Sequence, residues 1–212
     1  MRLVCPLILF TCLVACGEED DSAEDFAATL ESDVEDLARV STGVAVAQTT
    51  VSECVDTVGE CRTCLEATGT PLSGTFTVGL ESTPCSATWT TAAGETTYTV
   101  DSSAFAGSWT GGLSSVSVEM SGSRDATLET SRRRGDSTRT ASMTLDALEL
   151  EATLDGTVTS MVAELTYVGF GGRTYSVELA DDGQTLSGTA TAGSVTCTIS
   201  GTRTAPVVDC PR

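Results

Sequence analysis

The sequence predicts a mainly β protein, with an antiparallel meander of about nine to eleven strands that forms a curved sheet or barrel behind an N-terminal helical segment. Two patterns predict it. From Gly74 onward, apolar and polar residues alternate, and turn sequences such as AAGE, LDGT, GFGG and DDGQ separate the runs. Before that point, apolar residues recur every three or four positions, which is the spacing of one helix face.

The chain begins with an apolar run after one positive charge. Arg2 precedes Leu3 to Ala15, and this run is apolar apart from Thr11. A helix of this length measures roughly 20 Å, less than the ~30 Å hydrocarbon core of a bilayer. The length therefore favours the apolar region of a signal peptide over a membrane span.

The run ends in Leu13-Val14-Ala15-Cys16, followed by Gly17, and this resembles the lipobox of bacterial lipoproteins. The resemblance covers only this first part of the chain. It implies that a signal peptide, residues 1–15, is removed and that acyl chains attached to Cys16 hold the protein at a membrane. In that family an Asp directly after the cysteine favours the inner membrane, so Gly17 implies a cell-envelope protein with the outer membrane favoured. The alternatives are an ordinary signal peptide with a chance cysteine and a buried N-terminal helix.

The remaining chain is interpreted as three parts: an acidic tether at 16–22, a helical segment at 23–68 and an antiparallel β domain at 72–212. Like charges keep the tether extended. Ser22 is a candidate N-cap for a first helix, roughly 23–40. Its apolar face is Phe26, Leu30, Val34 and Leu37, whereas Glu31, Asp33, Glu35 and Asp36 are expected to face elsewhere. A second helix is predicted from Val51, Cys54, Val55, Val58, Cys61 and Leu65.

Composition excludes several classes of function. The formal net charge is −19, and it becomes −20 when Arg2 leaves with the signal peptide. This charge disfavours nucleic acid and anionic lipid as partners. The chain has no histidine, and all basic residues are arginines, which removes histidine-based catalysis and lysine Schiff bases. An enzyme is therefore disfavoured, and no catalytic residue, cofactor or metal is assigned.

Cysteine use indicates an oxidising compartment. Of the nine cysteines, Cys5 and Cys12 leave with the signal peptide and Cys16 takes the lipid. The six others are expected to form three disulfides, and they are Cys54, Cys61, Cys64, Cys85, Cys197 and Cys210. Cys197 and Cys210 are paired by default, because they are isolated at the C-terminus. On a continuous helix Cys54 and Cys61 lie about 10 Å apart and cannot bond, so Cys85 is expected to reach back to a helical cysteine.

Four features of the sequence each have more than one interpretation. The CRTC sequence ending at Cys64 is typical of a thiol-redox pair, or of a zinc site with Cys54 and Cys85, but structural disulfides are preferred because no βαβ context is present. RRRGD at 132–136 is interpreted as a solvated hairpin loop, in preference to a site for phosphate or a lipid headgroup or an Arg-Gly-Asp tripeptide of the kind integrins bind. DDGQ at 181–184 is interpreted as a turn, in preference to a calcium-binding loop. Trp89 and Trp109 are expected in the core rather than lining a ligand cavity.

The preferred function is a non-catalytic, lipid-anchored envelope or surface domain. Its expected partner is the membrane, through Cys16, and a protein or hydrophobic ligand remains open. The first alternative is a carrier that encloses a hydrophobic ligand in a curved sheet or barrel. The second alternative is a thiol-redox protein that uses the CRTC motif.

Overall fold

The computed structural model contains, within the residues it describes, one helix and twelve strands. The described residues are 25–37, 40, 43, 51–56, 62–80, 85–90, 94–131, 135–170, 172–203 and 205–211. The helix α1 covers 25–37. The strands are β1 Val51–Asp56, β2 Arg62–Thr70, β3 Ser73–Leu80, β4 Cys85–Thr90, β5 Glu95–Gly111, β6 Ser115–Ser131, β7 Ser137–Thr153, β8 Val158–Phe170, β9 Arg173–Asp181, β10 Leu186–Ala192, β11 Val195–Thr202 and β12 Ala205–Asp209.

The predicted fold class is confirmed: the strands form one curved, antiparallel sheet. The order is β1-β2-β3-β5-β6-β7-β8-β9-β10-β11-β12, and β4 also pairs with β5. β3 pairs with residues 104–110 of β5 and β4 with residues 95–100, so β3 and β4 together run beside one long strand. The sheet does not close into a barrel, because β1 and β12 stay at its two edges.

The second predicted helix is wrong. Its residues form β1 and β2, which pair antiparallel, and β2 also pairs with β3. Valine, threonine and cysteine fit a pleated strand well, and pairing with the rest of the sheet outweighs an apolar spacing that also fits a helix. Of the helical segment predicted at 23–68, the structure describes a continuous helix only at 25–37.

The sheet wraps around α1. Side chains or backbone groups of α1 contact partners on β5, β6, β7, β8, β9 and β12. From β5 to β12 a flat sheet measures about 34 Å across, at roughly 4.8 Å per strand, whereas a helix with its side chains is about 10–12 Å wide. A sheet that meets one helix with all these strands must therefore curve, and α1 fills its concave face.

Bulges mark the bends of the long strands. The predicted phase change near Leu148 is confirmed, because the pairing of β7 with β8 shifts between Leu145 and Ala147. Leu145 and Leu148 are both buried, while Ala147 between them is exposed. A bulge puts an extra residue into one strand and increases its local twist, which suits a sheet that wraps around a helix.

The connections alternate between the two ends of the sheet. Those after β2, β5, β7, β9 and β11 lie at one end, which we call the leucine end because Leu72, Leu113 and Leu154 lie in its turns. Those after β4, β6, β8 and β10 lie at the opposite end, whereas β1 and β3 end level with the middle of β5. Among the described residues, no helix is both long and apolar enough to cross a membrane.

Candidate functional site

Five of the six predicted disulfide cysteines are placed by the structure. Cys197 bonds Cys210, as predicted. Cys54 bonds Cys64, and the two residues lie directly opposite each other on β1 and β2. Cys85 is also disulfide-bonded. Cys61 lies outside the described residues, as do the signal peptide, the tether and the predicted lipidation site Cys16.

The Cys54–Cys64 bond argues against the two reactive interpretations of CRTC. The Cys64 sulfur bonds Cys54, so Cys61 and Cys64 do not form a redox disulfide with each other. Two cysteines joined in a disulfide also do not supply thiolates to a zinc ion. Within the part of the chain that is described, no group of three or more histidine, cysteine or acidic residues is arranged to hold a metal.

The main polar site lies between α1 and the concave face of the sheet. Arg124 of β6 forms an ion pair with Asp33 and a second one with Asp36 at 3.3 Å. The hydroxyl of Tyr167 on β8 donates a hydrogen bond of 3.1 Å to the other carboxylate oxygen of Asp33. Asp33, Asp36 and Arg124 are all buried. The expectation that Asp33 and Asp36 face away from the core is therefore wrong.

A second polar contact holds the first turn of α1. Asp25 forms an ion pair with Arg139 of β7, and it accepts a hydrogen bond of 2.9 Å from the Thr96 hydroxyl on β5. Thr96 and Thr130 on β6 share a hydrogen bond of 3.1 Å between their hydroxyls. Asp25, Thr96 and Thr130 are buried, so these charges and dipoles satisfy each other inside the protein. The first turn of α1 is thus fixed to three neighbouring strands.

Apolar contacts also hold α1 against the concave face of the sheet. The Phe26 ring stacks on Tyr175 with 3.9 Å between centroids and 9° between planes. It also meets Tyr167 and Phe170 edge-on at 5.4 Å and 5.6 Å. Aromatic pairs in these geometries stabilise by about 0.5–1.5 kcal/mol beyond their buried area. All four residues of the predicted apolar face of α1 are buried, which confirms that part of the prediction.

Burial and charge shift the pKa values of this site in different directions. Burial raises the pKa of the Asp33 carboxyl, while Arg124 and the Tyr167 hydroxyl oppose that increase. Burial lowers the pKa of Arg124, but Asp33, Tyr98 and Asp36 raise it more, so it stays above its ordinary value. Burial and the Asp33 charge raise the pKa of Tyr167 well above its usual value. Burial also raises the pKa of Tyr98. Tyr98, Tyr167 and Arg124 therefore keep their protons at neutral pH.

Trp109 is in the core, as predicted, and Trp89 packs against the core from a half-buried position. The Trp109 indole N–H donates a hydrogen bond of 3.1 Å to the Thr70 carbonyl oxygen. The ring lies over Gly74, where an added Cβ would come within 2.1 Å of the ring. Core packing is therefore the role that this geometry gives to Trp109.

The DDGQ sequence forms the turn between β9 and β10, as predicted. Asp182 accepts hydrogen bonds from the backbone N–H groups of Gln184 and Thr185 at 3.0 Å and 2.8 Å. These bonds lower the pKa of the Asp182 carboxyl. Asp181 is buried and pairs with Arg203 at 3.3 Å. In RRRGD, the three arginines lie outside the described residues, and Gly135 and Asp136 precede β7.

Two shallow depressions adjoin each other on the outer face of the sheet. The larger, of about 630 Å³, lies over β2, β3, β5 and β6, and the smaller, of about 300 Å³, lies over β5, β6 and β7. Small residues such as Gly79, Ala104, Ala106 and Ser121 form much of their floor. Both depressions are on the side of the sheet away from α1.

The sequence contains a signal for the buried polar site that composition and motifs do not reveal. Arg124 has the same inward phase in β6 as Ala126 and Leu128, so an arginine takes a position that the alternation reserves for apolar residues. In α1, Asp33 precedes Val34 and both are buried, which makes the buried face wider than the apolar stripe. A charged residue at an inward strand position and an acid at a helix core position together predict an internal ion pair.

Comparisons with protein-family models, with curated proteins and with solved structures find no match to this chain.

Proposed function

We propose that this chain is a non-catalytic lipoprotein of the cell envelope, anchored through acyl chains on Cys16, whose sheet is a rigid scaffold that acts through its exposed surface. The lipobox-like sequence Leu13-Val14-Ala15-Cys16 supports the anchor, with the outer membrane favoured by Gly17. The absence of histidine and lysine from the sequence supports a non-catalytic role.

The observation that carries the scaffold role is the position of α1. A carrier with a curved sheet needs an unoccupied concave face that accommodates its ligand. Here that face is taken by the chain's own helix, through buried Phe26, Leu30 and Val34 and through the ion pairs of Asp25 and Asp33. The two depressions described above open on the outer face instead. The geometry therefore favours the scaffold over the carrier, and it gives the redox alternative no support.

Mass spectrometry of the protein extracted from its native membrane tests the anchor. We expect an N-terminus at Cys16 that carries two or three acyl chains, and recovery in the membrane fraction. The matched control is Cys16→Ser, which keeps the same mature fold but lacks the thiol that takes the lipid. We expect this variant to lack acyl chains. An intact Met1 on a protein free of acyl chains contradicts the proposal.

Native mass spectrometry of the acylated protein, purified in detergent without a lipid-extraction step, tests the scaffold against the carrier. We expect one mass, that of the polypeptide with its own acyl chains. A further hydrophobic molecule retained at one per protein would support the carrier. A variant with a loosened helix, Phe26→Ala, gives the comparison, because weaker seating of α1 increases access to the concave face.

A further inference from the structure

Three leucines are exposed in turns at the leucine end. Leu113 is fully exposed, and Leu72 and Leu154 are 68% and 48% exposed. Turn positions favour glycine, proline, asparagine, aspartate and serine for conformational reasons, and a leucine offers none of these advantages. A single exposed leucine needs no explanation, but three at one end of a sheet form an apolar surface.

The three turns are close to one another. The backbone N–H of Gly111 donates a hydrogen bond of 2.8 Å to the carbonyl oxygen of Leu72, which joins the first turn to the second. Ser115 pairs with Thr153, which places the second turn beside the third. The strands that carry these turns run from β2 to β8 in the sheet, five spacings or about 24 Å. That width is within the reach of one protein partner.

The described part of the opposite end has no exposed leucine in its turns. Among the described residues, its connections consist of Gly94, Gly135, Asp136, Gly172, Gly193 and Ser194. None of these has a large apolar side chain. Among the described residues, exposed leucines in turns are therefore found at the leucine end and not at the opposite end.

Carboxylates surround the leucines. Glu151 is exposed on β7 near its end, Asp155 is in the third turn, and Asp182 is in the neighbouring turn between β9 and β10. Hydrogen bonds within these turns lower the pKa values of Asp155 and Asp182, so both stay ionised at neutral pH. Arg203, beside these turns, is paired with Asp181. Charge complementarity therefore requires a partner with arginine or lysine around an apolar centre.

The direction of the surface follows from the helix, and this step rests on the proposed lipid anchor. Asp25, at the start of α1, contacts Thr96 and Arg139, which both lie near the opposite end. Cys16 precedes Asp25 by nine residues, a reach of at most about 32 Å. The strand β6 has 17 residues, about 55 Å along the strand at ~3.4 Å per residue. The leucine end therefore faces away from the bilayer that holds Cys16.

We propose that the leucine end, Leu72, Leu113 and Leu154 with Glu151, Asp155 and Asp182, docks a protein that presents apolar side chains flanked by arginine or lysine. A second copy of this acidic chain brings like charge to the same surface. A bilayer lies at the other end of the molecule. Both of these occupants serve as alternative outcomes of the test.

Photocrosslinking of the full chain in its native membrane tests the docking surface. A benzophenone amino acid replaces Leu113, and the matched control carries it at Ser194, which is exposed in a turn at the opposite end. We expect crosslinks from position 113 to a peptide that contains apolar residues with arginine or lysine nearby, and far fewer from position 194. Crosslinks to lipid, to a second copy or to a peptide without basic residues overturn the proposal, as do equal yields from both positions or no crosslink.

Charge variants sharpen the same experiment. Glu151→Lys reverses a charge beside the leucines, and we expect it to lower the crosslinking yield several-fold. Glu129→Lys is the control, because Glu129 is exposed on the outer face of β6 near the opposite end. Equal yields with both variants overturn the charge complementarity.

The acylation state of Cys16, measured in the same samples, separates this proposal from the proposed function. If crosslinking depends on Glu151 but Cys16 carries no lipid, the docking surface stands and the anchor fails. If Cys16 carries lipid and crosslinking does not depend on Glu151, the anchor stands and the docking surface fails.

Discussion

Arg124, in the middle of β6, pairs with Asp33 of α1 in the interior of the protein, and both side chains are almost fully buried. An ion pair of this kind gives little net stability over a well-packed apolar pair, but it makes each partner intolerant of losing the other. The helix is therefore held in one orientation, because rotation of α1 would leave a buried charge without its counterion.

Replacement of Arg124 by methionine tests this pairing. We expect Arg124→Met to lower the free energy of unfolding by about 3–5 kcal/mol, because the Asp33 carboxylate loses its counterion in the interior. Urea denaturation followed by circular dichroism measures the change. Asp125→Asn is the control: Asp125 is the next residue on β6 and is exposed. The double variant Arg124→Met with Asp33→Asn should be more stable than the sum of the single changes predicts, and additive losses would contradict the pairing.

The pH dependence of stability should carry a contribution from Asp33. Its pKa is raised in the folded protein above the ordinary value of an aspartate, because of burial. The folded chain therefore binds this proton more tightly than the unfolded chain does. The stabilising contribution of this one group is complete below pH ~4 and is lost as the pH rises through the raised pKa.

Urea denaturation of the wild type and of Asp33→Asn over a pH series measures this contribution as the difference between the two curves. The turn residues Asp155 and Asp182 give an internal contrast, because hydrogen bonds lower their pKa values. Their contributions are present above the unfolded pKa and are lost as the pH falls through the folded one. Carboxyl carbon resonances should therefore titrate at higher pH for Asp33 than for Asp155 and Asp182. The reverse order contradicts the assignment.

Gly74 provides the space that the Trp109 ring fills. We expect Gly74→Ala to lower the free energy of unfolding by about 1–3 kcal/mol, because an added Cβ would overlap the ring and neither backbone nor indole has room to move. Gly79→Ala, on the same strand, is the control: its nearest heavy atom, the Ser103 carbonyl oxygen, lies at an ordinary 3.6 Å. Thermal unfolding followed by tryptophan fluorescence compares the two. A similar loss in both variants contradicts the steric explanation.

Phe26 is the main apolar anchor of α1. We expect Phe26→Ala to lower the free energy of unfolding by about 3–5 kcal/mol, because the stacked contact with Tyr175 is lost and a cavity is left. Hydrogen exchange of the α1 amides should accelerate more than that of the β8 and β9 amides. Phe26→Leu is the conservative comparison and should lose less. Uniform acceleration across the sheet would show that α1 and the sheet unfold as one unit.

The C-terminal disulfide should contribute measurably to stability. Cys197 and Cys210 close a loop with a sequence separation of 13, and a loop of this length corresponds to about 3 kcal/mol in the chain-entropy treatment. We expect the double variant Cys197→Ala with Cys210→Ala to lose about 2–3 kcal/mol in urea denaturation. Wild-type protein under reducing conditions gives the comparison. No change in the double variant would show that β12 is held by its other contacts.

The strands from β5 to β11 are predictable from the sequence because each buries one face and exposes the other. This geometry repeats with every second residue, so local alternation contains the information. The bulge beside Leu148 is predictable for the same reason, since an extra residue shifts the phase. β1 and β2 are not predictable this way, because the spacing of their apolar residues also fits a helix face, and only the pairing of β2 with β1 and β3 makes them strands.

The buried site is only partly predictable. The apolar face of α1 follows from its spacing, but the partners of Asp33 lie on β6 and β8, about 90 and 134 residues away in sequence. No local pattern pairs residues over that distance. Arg124 stands out only once the inward phase of β6 is known, and then an arginine among alanine and leucine indicates a buried counterion.

The two disulfides with known partners lie at the two margins of the open sheet. Cys54 links the outermost strand β1 to β2, and Cys210, directly after β12, links that margin to β11. The margin of an open sheet is where a foreign strand adds and fibres begin. Oxidation therefore protects the protein against strand exchange at the two places where an open sheet is most vulnerable, and prolonged reduction should promote polymerisation through β1 and β12.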